Sequence, residues 1–117
     1  MSAVKTISTA QLDQRLRNGG AFQFWNVLSD LYFTGELITG SLRVPADFVG
    51  REAARLGLPK DAEIIVYCKD TECPASGRAA EKLQTLGYTN VRAYEGGLRA
   101  WKAEGHPVVA LLKSAAA

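Results

Sequence analysis

A short run of uncharged residues near the middle of the chain most constrains its fold. Ile64-Ile65-Val66-Tyr67-Cys68 is rich in β-branched residues and lies between a polar turn at residues 60–62 and a loop segment at residues 69–73. Such a run is too short for a buried helix, and β-branched side chains favour extended backbone. The run shows no polar alternation, so it predicts a strand that is buried on both faces, as in a parallel sheet.

Other strands and helices are predicted to alternate around this one. The further predicted strands are short apolar segments: an edge strand at residues 4–7, then residues 22–28, 41–44 and 91–94. The predicted helices carry apolar faces: Leu12 and Leu16; Phe48, Ala53 and Leu56 after a cap at Asp47; Ala75, Ala79, Leu83 and Leu86 after Pro74; Leu98 and Trp101. This order predicts an α/β domain with about five mostly parallel strands and helices on both faces.

The length and composition agree with one globular domain. The chain has 117 residues, of which 47% are hydrophobic and 22% charged, which excludes a disordered chain, a collagen and a coiled coil. We expect residues 1–110 to form the domain and residues 111–117 to form a C-terminal tail. The net charge of +2 is small and evenly spread, so no nucleic-acid partner is expected.

The sequence also indicates the cellular environment in which the protein is expected to occur. No apolar stretch approaches about 18 residues, so we expect no membrane partner. The first five residues lack the apolar stretch of a secretory signal, and two cysteines are too few for a disulfide framework. We therefore expect a reducing, cytoplasmic environment.

Cys68 is the first candidate for chemistry because it ends the central predicted strand. Sites in parallel sheets lie at the carboxyl ends of the strands. Backbone amides of the following loop and the N-terminus of the next helix would favour an anion, and would shift a cysteine toward its thiolate. We therefore predict that Cys68 is a nucleophile at the floor of a shallow pocket and that the loop binds substrate; a core-filling cysteine is the alternative. The substrate-binding loop consists of Lys69, Asp70, Thr71, Glu72 and Cys73.

The charged residues around this loop have two possible roles. Lys69 could attract an anionic donor, although Asp70 and Glu72 oppose it, and an ordinary solvated lysine is the alternative. Arg78 could reach the mouth of the pocket from the first turns of the next helix, or could lie on the surface.

Cys73 allows three interpretations. It could be inert, it could be a resolving thiol that closes a disulfide or polysulfide with Cys68, or it could be an additional sulfur carrier. A curled loop of this length can bring the two cysteines within disulfide range. The single His106 belongs to a distant turn, so these residues do not supply a four-ligand zinc site. We expect no metal and no cofactor.

Several motifs together resemble the rhodanese (thiosulfate sulfurtransferase-like) family, over about residues 3–109. They are Val66-Tyr67-Cys68, Ala79-Ala80-Glu81-Lys82-Leu83, Leu86-Gly87-Tyr88-Thr89-Asn90-Val91, Tyr94-Glu95-Gly96-Gly97-Leu98-Arg99-Ala100-Trp101, Gly105-His106-Pro107-Val108 and Ile38-Thr39-Gly40-Ser41-Leu42-Arg43-Val44-Pro45. Within them we interpret Gly96 and Gly97 as a tight turn and Trp101 as a core anchor.

This resemblance implies a single rhodanese-like α/β domain and a sulfurtransferase. In that family a cysteine, matched here by Cys68, accepts a sulfane sulfur as a persulfide and passes it to a thiophilic acceptor. The implied partners are a small-molecule donor such as thiosulfate or a polysulfide, and a thiol or cyanide as acceptor. A sulfur-relay protein is a further candidate partner.

The chain departs from the usual family pattern at three places. The loop is about two residues longer than usual, and Cys73 stands where the shorter loop ends in Arg. The family's Asp-Val-Arg is Asn26-Val27-Leu28, and the His before Ile-Pro-Gly is Leu37. The chain resembles a minority of rhodanese-like proteins with Asn-Val-Leu and a Cys-x4-Cys-x-Ala-Ser loop.

Two other functions are compatible with a cysteine loop. A phosphatase would need Cys-x5-Arg to clamp phosphate, but the sixth residue after Cys68 is Pro74 and the next Arg is Arg78, which argues against it. A non-catalytic rhodanese-like module could bind a partner or sense oxidants through Cys68 and Cys73. Leu28 and Leu37 favour that module, whereas the retained Cys68 favours an enzyme.

Overall fold

The computed structural model of the protein describes residues 4–110, so the predicted tail at residues 111–117 lies outside the described residues. In chain order the elements are β1 (Lys5–Thr6), α1 (Thr9–Asn18), β2 (Gln23–Asn26), β3 (Glu36–Ile38), β4 (Leu42–Arg43), α2 (Val49–Arg55), β5 (Ile64–Tyr67), α3 (Ala75–Thr85), β6 (Val91–Tyr94), α4 (Gly97–Ala103) and β7 (Val108–Ala110). A 3-10 turn, Ala46–Phe48, precedes α2.

The main sheet has five strands in the order β1-β6-β5-β2-β4, and every neighbouring pair is parallel. This confirms the predicted α/β class and the predicted parallel sheet. β5 lies at the centre, with Ile64 paired to Gln23 of β2 on one side and to Val91 of β6 on the other. All four residues of β5 are fully buried, because both faces of the sheet are covered.

The helices cover the sheet from both sides, as predicted. On one face the Tyr94 ring of β6 meets Thr9 of α1 through a 2.5 Å hydrogen bond and packs edge-on against Trp101 of α4. The opposite face receives α3, whose Ser76 reaches the sulfur of Cys68 just after β5. Within the described part of the chain no helix is long and apolar enough to cross a membrane.

A second, two-stranded sheet was not predicted. β3 pairs antiparallel with β7, with Leu37 opposite Val109. The indole N–H of Trp101 donates to the Pro107 carbonyl at 2.8 Å and holds the turn that leads from α4 into β7. Each strand has only three residues, which is too short a pattern to separate from a loop in the sequence.

Two predicted helix faces differ from the structure. Phe48 is 47% exposed and Leu56 is 41% exposed, and Asp47 does not cap α2. The 3-10 turn leads the chain into α2, so the helix begins at Val49. The residues of α2 that are buried in the core are therefore Val49 and Ala53. Leu86 is exposed because α3 ends at Thr85, one residue before it.

One carboxylate joins three elements at the amino end of the sheet. Glu63, just before β5, accepts hydrogen bonds at 3.0 Å from Arg15 of α1 and at 2.7 Å from Arg92 of β6. The hydrogen bonds from Arg15 are the main cause that lowers the pKa of Glu63, and Arg92 acts in the same direction. The ion pairs therefore stabilise the folded state while Glu63 is ionised.

We expect Glu63→Gln to lower the free energy of unfolding at pH 7 by about 1–3 kcal/mol, because two arginines lose a charged acceptor. The pKa of Glu63 is lower in the folded protein than in the unfolded protein. Its ion pairs therefore stabilise the fold fully at pH values above the pKa of the unfolded state, and this stability is lost as the pH falls through the pKa of the folded state. The difference in the free energy of unfolding between the wild type and Glu63→Gln should thus shrink as the pH falls below about 4.5. Urea unfolding at several pH values measures it, with the exposed Glu81→Gln as control. A difference that stays constant with pH would contradict the ion-pair explanation.

Candidate functional site

Cys68 occupies the predicted place at the carboxyl end of the central strand. It follows Tyr67, the last residue of β5, and the neighbouring strands β2 and β6 end at the same edge through Asn26 and Tyr94. The loop after Cys68 leads to Pro74, and α3 begins at Ala75. The side chain itself has no exposed surface.

The first turn of α4 fixes the start of this loop. The backbone N–H of Leu98 donates to the Cys68 carbonyl at 3.1 Å, and that of Arg99 donates to the Lys69 carbonyl at 2.9 Å. Gly97 has φ +62°, and a Cβ placed there would lie 2.5 Å from the Cys68 oxygen. A side chain at this position would push the loop away, so the sequence interpretation of Gly97 as a turn residue is confirmed. Trp101 is 2% exposed and is the core anchor that was predicted.

The Cys68 sulfur faces carbonyl oxygens. Its Sγ donates to the Cys73 carbonyl at 3.4 Å and lies 4.0 Å from the Asp70 carbonyl. Burial, followed by the adjacent Cys73 thiol, raises the pKa of Cys68 to about 11. At pH 7 only about one thiol in ten thousand is therefore ionised in this conformation. The expectations of an accessible sulfur and of a lowered pKa were wrong for this conformation of the loop.

Ser76 is a residue beside the Cys68 sulfur that the sequence analysis did not single out. It is 2% exposed in the first turn of α3, and both its backbone N–H and its hydroxyl hydrogen-bond the Cys68 sulfur in the direction that lowers its pKa. We had expected such stabilisation from the loop amides between Lys69 and Cys73. The available signal was a small polar residue in the first turn of the helix that follows the cysteine loop.

A groove of about 500 Å³ opens beside the loop that follows Cys68. We call it the loop groove; it is lined by Leu28, Tyr32, Lys69, Asp70, Glu72, Cys73, Pro74 and Arg78. Four of the five predicted loop residues thus line one groove. The fifth, Thr71, lines a separate cavity of about 290 Å³ against α4. Arg78 lines the groove and is exposed, so both positions considered for it apply.

The charge of the loop groove is balanced among its lining side chains. Lys69 and Arg78 are cationic, and Asp70 and Glu72 are anionic. Tyr32 is 66% exposed and forms the outer wall. Within residues 4–110 no three His, Cys, Asp or Glu side chains are grouped so that they could hold a metal ion.

Arg43 of β4 supports the opposite wall of the groove. Its guanidinium donates to the Leu28 carbonyl at 2.6 Å and to the Asn26 side-chain oxygen at 3.2 Å, and it stacks 4.1 Å above the Phe33 ring. These contacts hold the segment in which the chain has Asn26 and Leu28 in place of the family's Asp and Arg. Leu28 is 2% exposed and presents an apolar edge to the groove.

The hydroxyl of Tyr67 ties β5 to the chain between β3 and β4. It accepts from the Ile38 N–H at 2.9 Å and shares a 2.6 Å hydrogen bond with the Ser41 hydroxyl. All three residues are buried, so these groups satisfy each other away from water. The residue before Cys68 is thereby fixed on the face opposite α3.

Comparisons with known proteins agree with the fold. The sequence matches the family described as rhodanese-like domain over residues 8–104. It is similar to an uncharacterized protein of Synechocystis sp., with 31% identity over 96 residues that cover 82% of this chain and 51% of the relative. The chain thus spans about half the length of that relative.

Two further proteins are similar along nearly the whole chain. A protein of Allochromatium vinosum named sulfurtransferase is 26% identical over 107 residues, which are 92% of this chain and 96% of that protein. The solution structure of the rhodanese-like domain from the Anabaena sp. Alr3790 protein has a TM-score of 0.78 and 28% identity, and the match covers 98% of this chain and 84% of that one.

Gly97→Ala should destabilise the protein more than the backbone strain of an alanine at a positive φ alone would explain. Gly105 also has a positive φ, +76°, but no atom lies within 4 Å of a Cβ placed there. We expect Gly105→Ala to cost about 1–2 kcal/mol from backbone strain. Gly97→Ala should cost more than about 3 kcal/mol, because it also displaces the Cys68 carbonyl. Thermal unfolding measures both, and equal losses would contradict the contact with Cys68.

Ser76→Ala should raise the pKa of Cys68 further, because it removes a donor to the sulfur. The thiolate is the form that reacts, so the rate of Cys68 alkylation should rise with pH in both proteins. At a given pH the rate should be about tenfold lower in Ser76→Ala than in the wild type. The measurement is site-resolved alkylation by mass spectrometry between pH 7 and 10. Ser8→Ala, which removes the cap of α1 two strands away from β5, is the control. Identical profiles for wild type and Ser76→Ala would contradict the assigned role.

Proposed function

The chain belongs to the rhodanese-like domain family, and we propose that it is a sulfurtransferase that carries sulfane sulfur as a persulfide on Cys68. The observation that carries this proposal is the position of Cys68 at the end of β5, followed by a loop that lines a groove of about 500 Å³. The similarity to a protein named sulfurtransferase supports the reaction class. Donor, acceptor and persulfide are our proposal.

The reaction is a double displacement. The Cys68 thiolate attacks the outer sulfur of thiosulfate, the sulfur–sulfur bond of the donor breaks, and sulfite leaves with the electron pair. Cys68 then carries one additional sulfur. A thiolate or cyanide attacks that outer sulfur, the persulfide bond breaks, and the Cys68 thiolate is restored as a thiolate leaving group.

The first step requires the loop to open. In the closed conformation the Cys73 carbonyl accepts from the Cys68 thiol at 3.4 Å and blocks it from the groove. Displacing this segment exposes the sulfur to water and removes the two largest causes of its raised pKa. Ser76 belongs to α3 rather than to the loop, so its two donors stay in place and stabilise the thiolate after its proton has passed to solvent.

The loop groove suits a small anionic donor. Lys69 and Arg78 reach it from the two ends of the loop, so a compact dianion such as thiosulfate or a polysulfide can lie between them. Asp70 and Glu72 limit the attraction and make the groove unsuited to a highly charged ligand. The acceptor is a thiol or cyanide, or the thiol of a sulfur-relay protein.

A second candidate is a non-catalytic rhodanese-like module. The full burial of Cys68 and its pKa of about 11 favour this function, because a nucleophile must be exposed and ionised. The two candidates differ in whether the loop opens for a donor. They are separated by covalent loading of Cys68.

We expect thiosulfate or polysulfide to add about 32 Da, one sulfur atom, to Cys68 of the reduced Cys73→Ser protein, which has no second thiol that could remove the added sulfur. Cys68→Ser should show no gain, because a neutral hydroxyl is a far weaker nucleophile than a thiolate. Intact mass and peptide mapping after alkylation are the measurements. Absence of loading on Cys68 with both donors would favour the non-catalytic module, and loading of Cys73 in Cys68→Ser at the wild-type rate would overturn the assigned roles.

A further inference from the structure

The two thiols of the loop differ in access. Both cysteines are free; Cys68 is buried and Cys73 is only partly so. Cys73 lines the loop groove and also a neighbouring cavity of about 200 Å³. The groove lining thus includes Cys73 but not Cys68.

The loop curls so that the two residues touch. The Cys73 N–H donates to the Asp70 carbonyl at 3.2 Å, and the Glu72 N–H donates to the Asp70 side chain at 3.0 Å. These bonds turn the chain back over Cys68, whose Sγ lies 3.4 Å from the Cys73 oxygen. The thiol of Cys73 also lies close enough to influence the pKa of Cys68. A sulfur–sulfur bond between them needs a shift of this turn rather than a rearrangement of the fold.

We propose that Cys73 resolves the Cys68 persulfide, so that the protein releases hydrosulfide and forms an intramolecular disulfide. This inference rests on the proposed persulfide. The Cys73 thiolate attacks the inner sulfur, the bond between Cys68 Sγ and the outer sulfur breaks, and the outer sulfur leaves with the electron pair as hydrosulfide. The sulfane sulfur is reduced to sulfide, and the two cysteine thiols are oxidised to one disulfide.

The position of Cys73 favours this route over attack by an external thiol. A thiol held against Cys68 by the same loop has a far higher effective concentration than a thiol in solution. Hydrosulfide is a weaker base than an alkyl thiolate, so it leaves readily. The inner sulfur of the persulfide lies under the turn at residues 70–73, where a bulky external thiol must first displace the loop.

The cycle closes with a dithiol reductant. It attacks the sulfur of Cys73, which lies on the groove, and expels the Cys68 thiolate. Its second thiol then displaces Cys73 and leaves as an oxidised dithiol. Electrons thus pass from the dithiol to the sulfane sulfur, and the proposed activity is the reduction of sulfane sulfur to hydrosulfide.

A single-turnover experiment tests the inference. Dilute, fully reduced protein is mixed with one equivalent of thiosulfate in the absence of other thiols and is quenched with an alkylating reagent. Wild type should lose about 2 Da as the disulfide forms, and should release about one equivalent each of sulfite and hydrosulfide. Cys73→Ser and Cys73→Ala should instead keep about 32 Da on Cys68 and release sulfite without hydrosulfide. Comparison of Cys73→Ser with Cys73→Ala distinguishes the effect of losing the thiol from the effect of the hydroxyl that serine introduces.

The outcomes distinguish the two proposals. A stable Cys68 persulfide in wild type, with no hydrosulfide, would overturn the resolving role while leaving the proposed function intact. No sulfur transfer and no sulfite in any protein would overturn the proposed function and this inference with it. Thermal unfolding of the three proteins verifies that each is folded before the result is read.

Discussion

The geometry of the loop depends on a direct contact between two parts of the backbone. The first amides of α4 bind the carbonyls of Cys68 and Lys69, and Gly97 leaves the space that this contact needs. The contact determines where the chain leaves β5 and therefore which way the rest of the loop can turn. With residues 68 and 69 held from one side, the turn at residues 70–73 lies across the sulfur from the other side.

Protection and reactivity of Cys68 are controlled by the same few groups. The Cys73 carbonyl accepts from the sulfur, whereas Ser76 supplies hydrogen-bond donors that act to lower the pKa of the Cys68 thiol. A thiol with a pKa of about 11 resists adventitious oxidation, because oxidants and electrophiles react with the thiolate. In this conformation of the loop the sulfur is thus held in its protonated, unreactive form.

The sequence predicted the elements whose signals are local. Ile64–Tyr67 is a strand because its residues are β-branched and uncharged, and Cys68 follows it at the expected edge. The burial of Cys68 could not be predicted, because it depends on a loop that folds back over the sulfur and whose start is held by hydrogen bonds from α4, about thirty residues further along the chain. Likewise, Phe48 was assigned to a helix face because the sequence does not distinguish a 3-10 turn from the first turn of an α-helix. Substrate binding by the loop residues remains a prediction, whereas the contact of Ser76 with the sulfur depends on the direction of the Cys68 side chain, which the sequence does not give.

The pairing of β3 with β7 has a consequence for the order of folding. The two strands are separated by most of the chain, and Ile38 meets Val108 only after α3, β6 and α4 have been synthesised. Contacts between such distant segments carry a large loop-closure entropy and form late. During vectorial synthesis, β5 can join β2 while β3 still lacks its partner. The small sheet therefore acts as the closing step of assembly, and it fixes the end of the segment at residues 28–35 only once the parallel sheet exists.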